Sequence, residues 1–116
     1  MAKLLVMIAS GPKDPAKVKA GLGFSLVANS NPAVQDVKIC FFADGVEVLD
    51  PAQIEPFEKL LNKMHDAQMF SMACQLHAEQ KQIDTVLRSN PYSVDLHYVG
   101  DDLVQALVDG YQFVTF

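Results

Sequence analysis

Cys74 and His77 are the pair of residues whose types and spacing most readily suggest chemistry. Cys74 follows the apolar run Met69-Phe70-Ser71-Met72-Ala73 and precedes the polar segment QLHAEQKQ. The first segment predicts a short buried strand and the second a helix, so the sulfur falls where strand gives way to helix. Unsatisfied N–H groups and the positive dipole end at a helix start favour the thiolate, which is the nucleophile, over the thiol. His77 lies at i+3 on the same helical face, placed to lower the thiol pKa further when protonated or to shuttle a proton. The competing reading is a small buried apolar cysteine, the commonest fate of a free thiol. Location favours chemistry, because a purely structural cysteine has no special reason to stand at a strand's carboxyl end beside a polar helix.

Cys40 is the internal comparison. It lies between Ile39 and Phe41-Phe42 in a second apolar run and is expected to be dry and inert. The two cysteines do not form CxxC, so thioredoxin-type exchange within the chain is not expected. A metal site is not expected either. Cys74 and His77 make one CxxH pair, but His65 falls at a helix C-terminus and His97 within a strand, and no second close pair completes zinc-ligand spacing. Asp44, Glu47, Asp50, Asp101 and Asp102 read as turns and N-caps rather than as paired catalytic carboxylates.

The elements that must position these residues alternate. Residues 3–9 form a continuous apolar strand. Gly11-Pro12-Lys13-Asp14-Pro15 breaks it, with Asp14 as N-cap and Pro15 as first residue of a helix. Val18, Leu22 and Leu26 give that helix an apolar stripe, and it ends near Asn29-Ser30-Asn31-Pro32. Val37 to Ala43 is the second strand, and Gln53 to Ala67 a helix carrying Ile54, Phe57, Leu60, Leu61 and Met64. Met69 to Ala73 is the third strand, with helical residues 75–81 and a short apolar element at Ile83, Val86 and Leu87 after it. Ser93 to Val99 is the fourth strand. Gly100-Asp101 caps a helix through Asp109 whose Leu103, Val104, Leu107 and Val108 are expected to face the core, Gly110 ends it, and Tyr111 to Phe116 is the last strand.

Strict β-α alternation means parallel strands joined by right-handed crossovers. The expected architecture is three-layer α/β/α, with one five-stranded, mainly parallel sheet in a single domain over 1–116. Sites in such sheets gather in the loops after the strands, here those after Ala9, Ala43, Ala73 and Val99. The first of these has neither GxGxxG nor GxxxxGK[ST], so its backbone cannot closely approach a pyrophosphate. A phospho-receiver is not expected, because Ser10 and Cys74 stand where its clustered acids would be.

Composition narrows the partners. Nine Lys and Arg against 14 Asp and Glu give a net charge of −5, which argues against a general nucleic-acid or anionic-membrane binder. Half the residues are apolar, which excludes disorder. Counted with Gly, the apolar share slightly exceeds the usual range of about 45–50%, a hint of a subunit interface. No apolar run is long enough to span a bilayer. The run after Lys3 is shorter than the h-region of a secretory signal, and two distant cysteines without an export signal point to reduced thiols in the cytoplasm.

The chain resembles the DsrE/DsrF-like proteins. The residues that carry the resemblance are a first strand ending in a short loop, Leu26-Val27-Ala28 before the exit of the first helix, FFADGVEVL (Phe41 to Leu49), and a third strand running into Ala73-Cys74. It covers essentially the whole chain. The resemblance implies a five-stranded α/β/α domain assembled into dimers, trimers or hexamers. It implies that Cys74 is the catalytic position of a sulfur carrier or sulfurtransferase, holding a persulfide and relaying it among TusA-like, rhodanese-like or DsrC-like partners for sulfur oxidation or tRNA thiolation. No metal or organic cofactor is implied. Where the family often has Gly before the aliphatic residue after the cysteine's helix, this chain reads Lys81-Gln82-Ile83.

Two further readings remain open. One is a non-catalytic oligomeric binding or assembly module of the same fold, with Tyr111, Phe113 and Phe116 as exposed aromatics near its C-terminus. The other is a thiol peroxidase, disfavoured because no resolving cysteine is expected near Cys74.

Overall fold

The apolar run at the start of the chain becomes an interior strand of a sheet in the computed structural model, which describes residues 1–116. Strand β1 (Ala2–Ile8) pairs with β2 (Val34–Phe41) on one side and β5 (Gln112–Thr115) on the other. Strands β3 (Phe70–Cys74) and β4 (Asp95–His97) follow beyond β2, giving the order β4-β3-β2-β1-β5 with every pairing parallel. Leu5, Val6 and Ile8 lose all solvent contact because β1 is covered on both faces, which is why its sequence does not alternate.

The helices are α1 (Pro15–Ser30), α2 (Glu58–Asp66), α3 (Gln75–Gln80), α4 (Asp84–Leu87) and α5 (Gly100–Val108). The first three strand-to-strand steps move in one direction and the last returns across the whole sheet. Right-handed crossovers therefore place α1 and α2 on one face and α5 on the other. Side chains agree with this. Gly21 of α1 packs against Ile8 and Phe116, whereas Lys3, on the opposite face of β1, reaches the carbonyl of Asp109 at the end of α5. Asp14 caps α1 as the sequence predicts, its carboxylate accepting the Lys17 N–H at 3.3 Å. Gly110 ends α5 at φ +88°, a left-handed position that suits glycine.

Several expectations change. Of the four residues expected to turn α5 inward, Leu103 is half-buried, and Val104, Leu107 and Val108 are 59–74% exposed. Register explains this. The sheet face beneath α5 carries Asp36 and Lys38 opposite Lys3 and Leu5, so the polar edge of the helix turns toward it, with Asp102 reaching His97 and only Ala106 fully buried.

The helix expected from Gln53 opens instead with the 3-10 turn Glu55–Phe57, with Pro56 in its first turn, before α2. Strand β4 keeps three residues of the seven expected, because Ser93 takes φ +58° and Val99 is already turning into α5. Tyr111, Phe113 and Phe116 are half-buried rather than exposed.

Candidate functional site

Cys74 is the last residue of β3 and the N-cap of α3, with an extended backbone (φ −72°, ψ 109°). The residue is 4% exposed. It lines the largest cleft of the molecule, about 340 Å³, together with Phe42, Leu76, His77, Tyr98, Val99 and Gly100. The walls come from the carboxyl ends of β2, β3 and β4, where a parallel α/β sheet places its sites. Three other clefts, of about 240–250 Å³, lie away from the sulfur.

The loop after β2 positions His77. A 3-10 segment, Ala43–Leu49, begins at Ala43 in the left-handed region, φ +52°. That corner points the Ala43 N–H at His77 Nδ1, to which it donates at 2.9 Å. Phe42 meets the imidazole edge-on with ring centroids 4.4 Å apart. While this bond stands, Nδ1 carries no proton, and Nε2–H is the donor that the neutral ring offers the cleft. No hydrogen bond joins Cys74 to the ring, and Cys74 makes no side-chain capping bond.

Gly45 fastens the same loop to the sheet. A Cβ there would stand 1.7 Å from the Ile8 carbonyl oxygen, a position only glycine can occupy. This is the physical content of the DGV in FFADGVEVL. Lys81 then ties the end of α3 to the loop, donating to Asp44 at 2.8 Å and lying 3.6 Å from Glu47. The hydrogen bond with Lys81 lowers the Asp44 pKa, and the same bond raises that of Lys81. Next to it, Gln82 adopts φ +61°, the conformation that glycine takes most easily.

The opposite wall is held by Tyr98, whose hydroxyl donates to the Glu79 carboxylate of α3 at 2.8 and 2.9 Å from its two oxygens. That bond, followed by partial desolvation, raises the Tyr98 pKa.

Sequence reasoning placed Cys74 and His77 together, and the structure brings both to one cleft. His65 is elsewhere, in the last turn of α2 edge-on to Tyr92. No group of three or more His, Cys, Asp or Glu side chains is arranged to hold a metal ion. Cys40 is wholly buried, and burial, with Cys74 nearby, pushes its thiol pKa up to about 12. It is closer to Cys74 than the sequence suggested. Its strand partner is Met72, two residues before Cys74 on the same face of the sheet. Strand spacing and rise still put the two Cα atoms about 8 Å apart, beyond the roughly 7 Å that a disulfide spans without backbone movement.

His97 is the residue that sequence reasoning passed over. It is the direct strand partner of Cys74, and its Nε2 lies 2.5 Å from Asp102 of α5. Consecutive strands of a β-α-β unit usually pair. With the fourth strand expected to run to Val99, aligning the strand ends would have set Val99, not His97, level with Ala73, whereas the observed partner of Ala73 is Leu96.

A parallel α/β sheet with a cysteine at the rim, cradled between a strand end and a short helix, defines a thiol-bearing member of the three-layer α/β class. The profile of the DsrE/DsrF-like family matches residues 2–116, and the chain belongs to that family. Its membership supports a role related to sulfur relay. No curated protein matches the sequence.

Among solved structures, the ychN protein from E. coli superposes with a TM-score of 0.82 at 14% identity, all of both chains being covered. BT1422 from Bacteroides thetaiotaomicron, a conserved protein of unknown function, gives 0.77 at 16% identity over 98% of this chain and 94% of its own. MTH1491 from Methanobacterium thermoautotrophicum, also of unknown function, gives 0.77 at 13% identity over the whole of both chains. These likenesses establish the fold. No helix is long and apolar enough to cross a membrane.

Proposed function

We propose that the protein is a cytoplasmic sulfur carrier or sulfurtransferase that holds persulfide sulfur on Cys74. The observation that carries this reading is the placement of Cys74 at the mouth of β3 in the cleft it shares with His77, in a chain of the DsrE/DsrF-like family. The Cys74 thiolate attacks the outer sulfur of a donor persulfide, R–S–SH. The bond between the donor's two sulfurs breaks, R–S⁻ leaves, and Cys74–S–SH forms. An acceptor thiolate then attacks the same outer sulfur and returns Cys74 as thiolate. His77 Nε2–H is the donor available to the anionic sulfur. Donors and acceptors are small proteins of the TusA-like, rhodanese-like or DsrC-like kinds. The chemistry itself calls for no metal or organic cofactor.

The test is to load the protein with polysulfide and measure its intact mass. The parent gains sulfur and Cys74→Ala does not. Equal retention by the variant defeats the assignment.

One observation favours a second reading, a non-catalytic oligomeric binding or assembly module. Val104, Leu107 and Val108 form an exposed apolar stripe along α5, a surface suited to another subunit. Such a module labels slowly at Cys74 with thiol reagents, whereas a relay labels quickly below neutral pH.

A further inference from the structure

His97 is level with Cys74 on the neighbouring strand, so both side chains leave the same face of the sheet. Its two ring nitrogens are in unlike situations. Nε2 is held 2.5 Å from the Asp102 carboxylate in the first turn of α5. Nδ1 is sealed from solvent and has no hydrogen-bond partner, the only buried side-chain nitrogen or oxygen of the protein in that state. The Asp95 carboxylate, on the same strand, stands 3.5 Å from it without bonding. A buried polar atom left unpaired destabilises the fold, and such an atom calls for a reason to exist.

We infer that His97, oriented by Asp102, takes the proton of the Cys74 thiol. The inference builds on the reading of Cys74 as the sulfur carrier. The tautomer that donates Nε2–H to Asp102 leaves the lone pair on Nδ1. Residues paired across parallel strands stand about 4.8 Å apart, so the thiol and the imidazole are direct neighbours on one face of the sheet. The resting structure has no such bond, and catalytic hydrogen bonds commonly tighten only when substrate arrives.

In the step itself, the Sγ–H bond of Cys74 breaks and its proton moves to Nδ1. The thiolate attacks the outer sulfur of the donor. The imidazolium, between Asp102 and Asp95, returns the proton to the departing R–S⁻, so R–SH leaves and His97 is neutral again. His77 cannot take this proton at Nδ1, because that nitrogen already accepts the Ala43 N–H. The two imidazoles divide the work: His77 donates to the sulfur anion and His97 accepts the thiol proton. Asp102 is a positioning residue.

The experiment follows alkylation of Cys74 by iodoacetamide across about pH 5–8, and in parallel the rate of sulfur uptake from polysulfide. His97→Gln is expected to slow both by about a hundredfold at neutral pH and to change the shape of the alkylation profile. Asp102→Asn, on the exposed first turn of α5, is expected to produce a smaller change of the same kind, and it carries the test if His97→Gln does not fold. A uniform loss of rate with an unchanged profile would mean a purely structural role and would overturn the inference, as would parental rates in both variants. A parent that takes up no sulfur overturns the relay reading instead, and the alkylation profile still decides the role of His97.

Discussion

Cys40 and Cys74 are on adjacent strands and the same face of one sheet, two residues out of level, yet they occupy different kinds of place. Cys40 is in the interior of the sheet, flanked by strands on both sides and closed by packing. Cys74 is at the rim, where the ladder stops and three segments converge around a cleft. What separates a sealed thiol from one beside a cleft here is two residues of travel along a strand. The residue type says nothing about the difference, and position relative to the strand's end says most of it.

The sharpest way to break this comparison is competitive thiol labelling at neutral pH. With its pKa pushed up to about 12, roughly one Cys40 in 10⁵ is ionised at pH 7. That alone puts it about a thousandfold or more below an ordinary cysteine, and burial adds to the deficit. Cys74 should react and Cys40 should stay unmodified until the protein unfolds. Comparable rates in the native protein would erase the distinction between interior and rim.

Next in size is the attachment of the rim to the interior. Gly45→Ala drives a methyl group into the Ile8 carbonyl, and we expect a loss of about 3 kcal/mol by urea unfolding. The same change displaces the loop that holds His77, so faster exchange of the Ala43 amide should accompany it.

Paired serine substitutions test the thiols themselves. In Cys40→Ser the hydroxyl has only the Phe41 carbonyl, at the 3.9 Å that sulfur tolerates and oxygen does not. A loss of about 1–3 kcal/mol follows. Cys74→Ser, with the cleft beside it, should cost less than about 1 kcal/mol.

Alkaline pH tests the interior from another direction. Cys40 keeps its proton to about pH 12 in the folded protein, whereas an unfolded cysteine loses it near about 8.5. The associated stability is whole below the lower value and is lost as pH rises toward the higher one. Tyr111 acts in the same sense. Its hydrogen bond to Asp36, then desolvation, pushes its pKa up to about 12. Urea midpoints should therefore fall as pH rises above about 9, and Cys40→Ala should flatten the fall to the part owed to Tyr111 and the other groups of raised pKa, Tyr92, Tyr98 and Lys81.

The smallest effect expected is a gain. Gln82 is in the left-handed region at the end of the cysteine's helix and its turn, which costs a side-chain-bearing residue on the order of 1 kcal/mol. Gln82→Gly should raise stability by about that amount or less. A net loss would mean that the Gln82 side chain has a role in the turn.

The two regions were also unequally legible in the sequence. Interior strands are written as apolar runs, and β1, β2 and β3 were recovered from the stretches of each that are covered on both faces, Leu4–Ile8, Ile39–Phe41 and Ser71–Cys74. The Cys74–His77 pair was visible because helix spacing is local. His97 was not, because its relation to Cys74 lies in the register between strands, and nothing within β4 itself encodes that register. The inward face of α5 was misjudged for a related reason. Its apolar residues suggested a core stripe, but the sheet they were expected to cover presents Asp36 and Lys38, and those residues sit on a different strand. Local pattern reached as far as each element's own covering and stopped at what its neighbour presents.

Strand β4 gives the sheet only three residues and has no neighbour on its outer side. So brief an edge offers a stray polypeptide little to pair with, which is protection against aggregation. Brevity also makes it the least anchored part of the sheet, and hydrogen exchange should find its amides among the first to open. Each such fluctuation lifts away one flank of the sulfur, so the same economy that keeps the molecule from sticking to its neighbours would give a partner's thiol its way in.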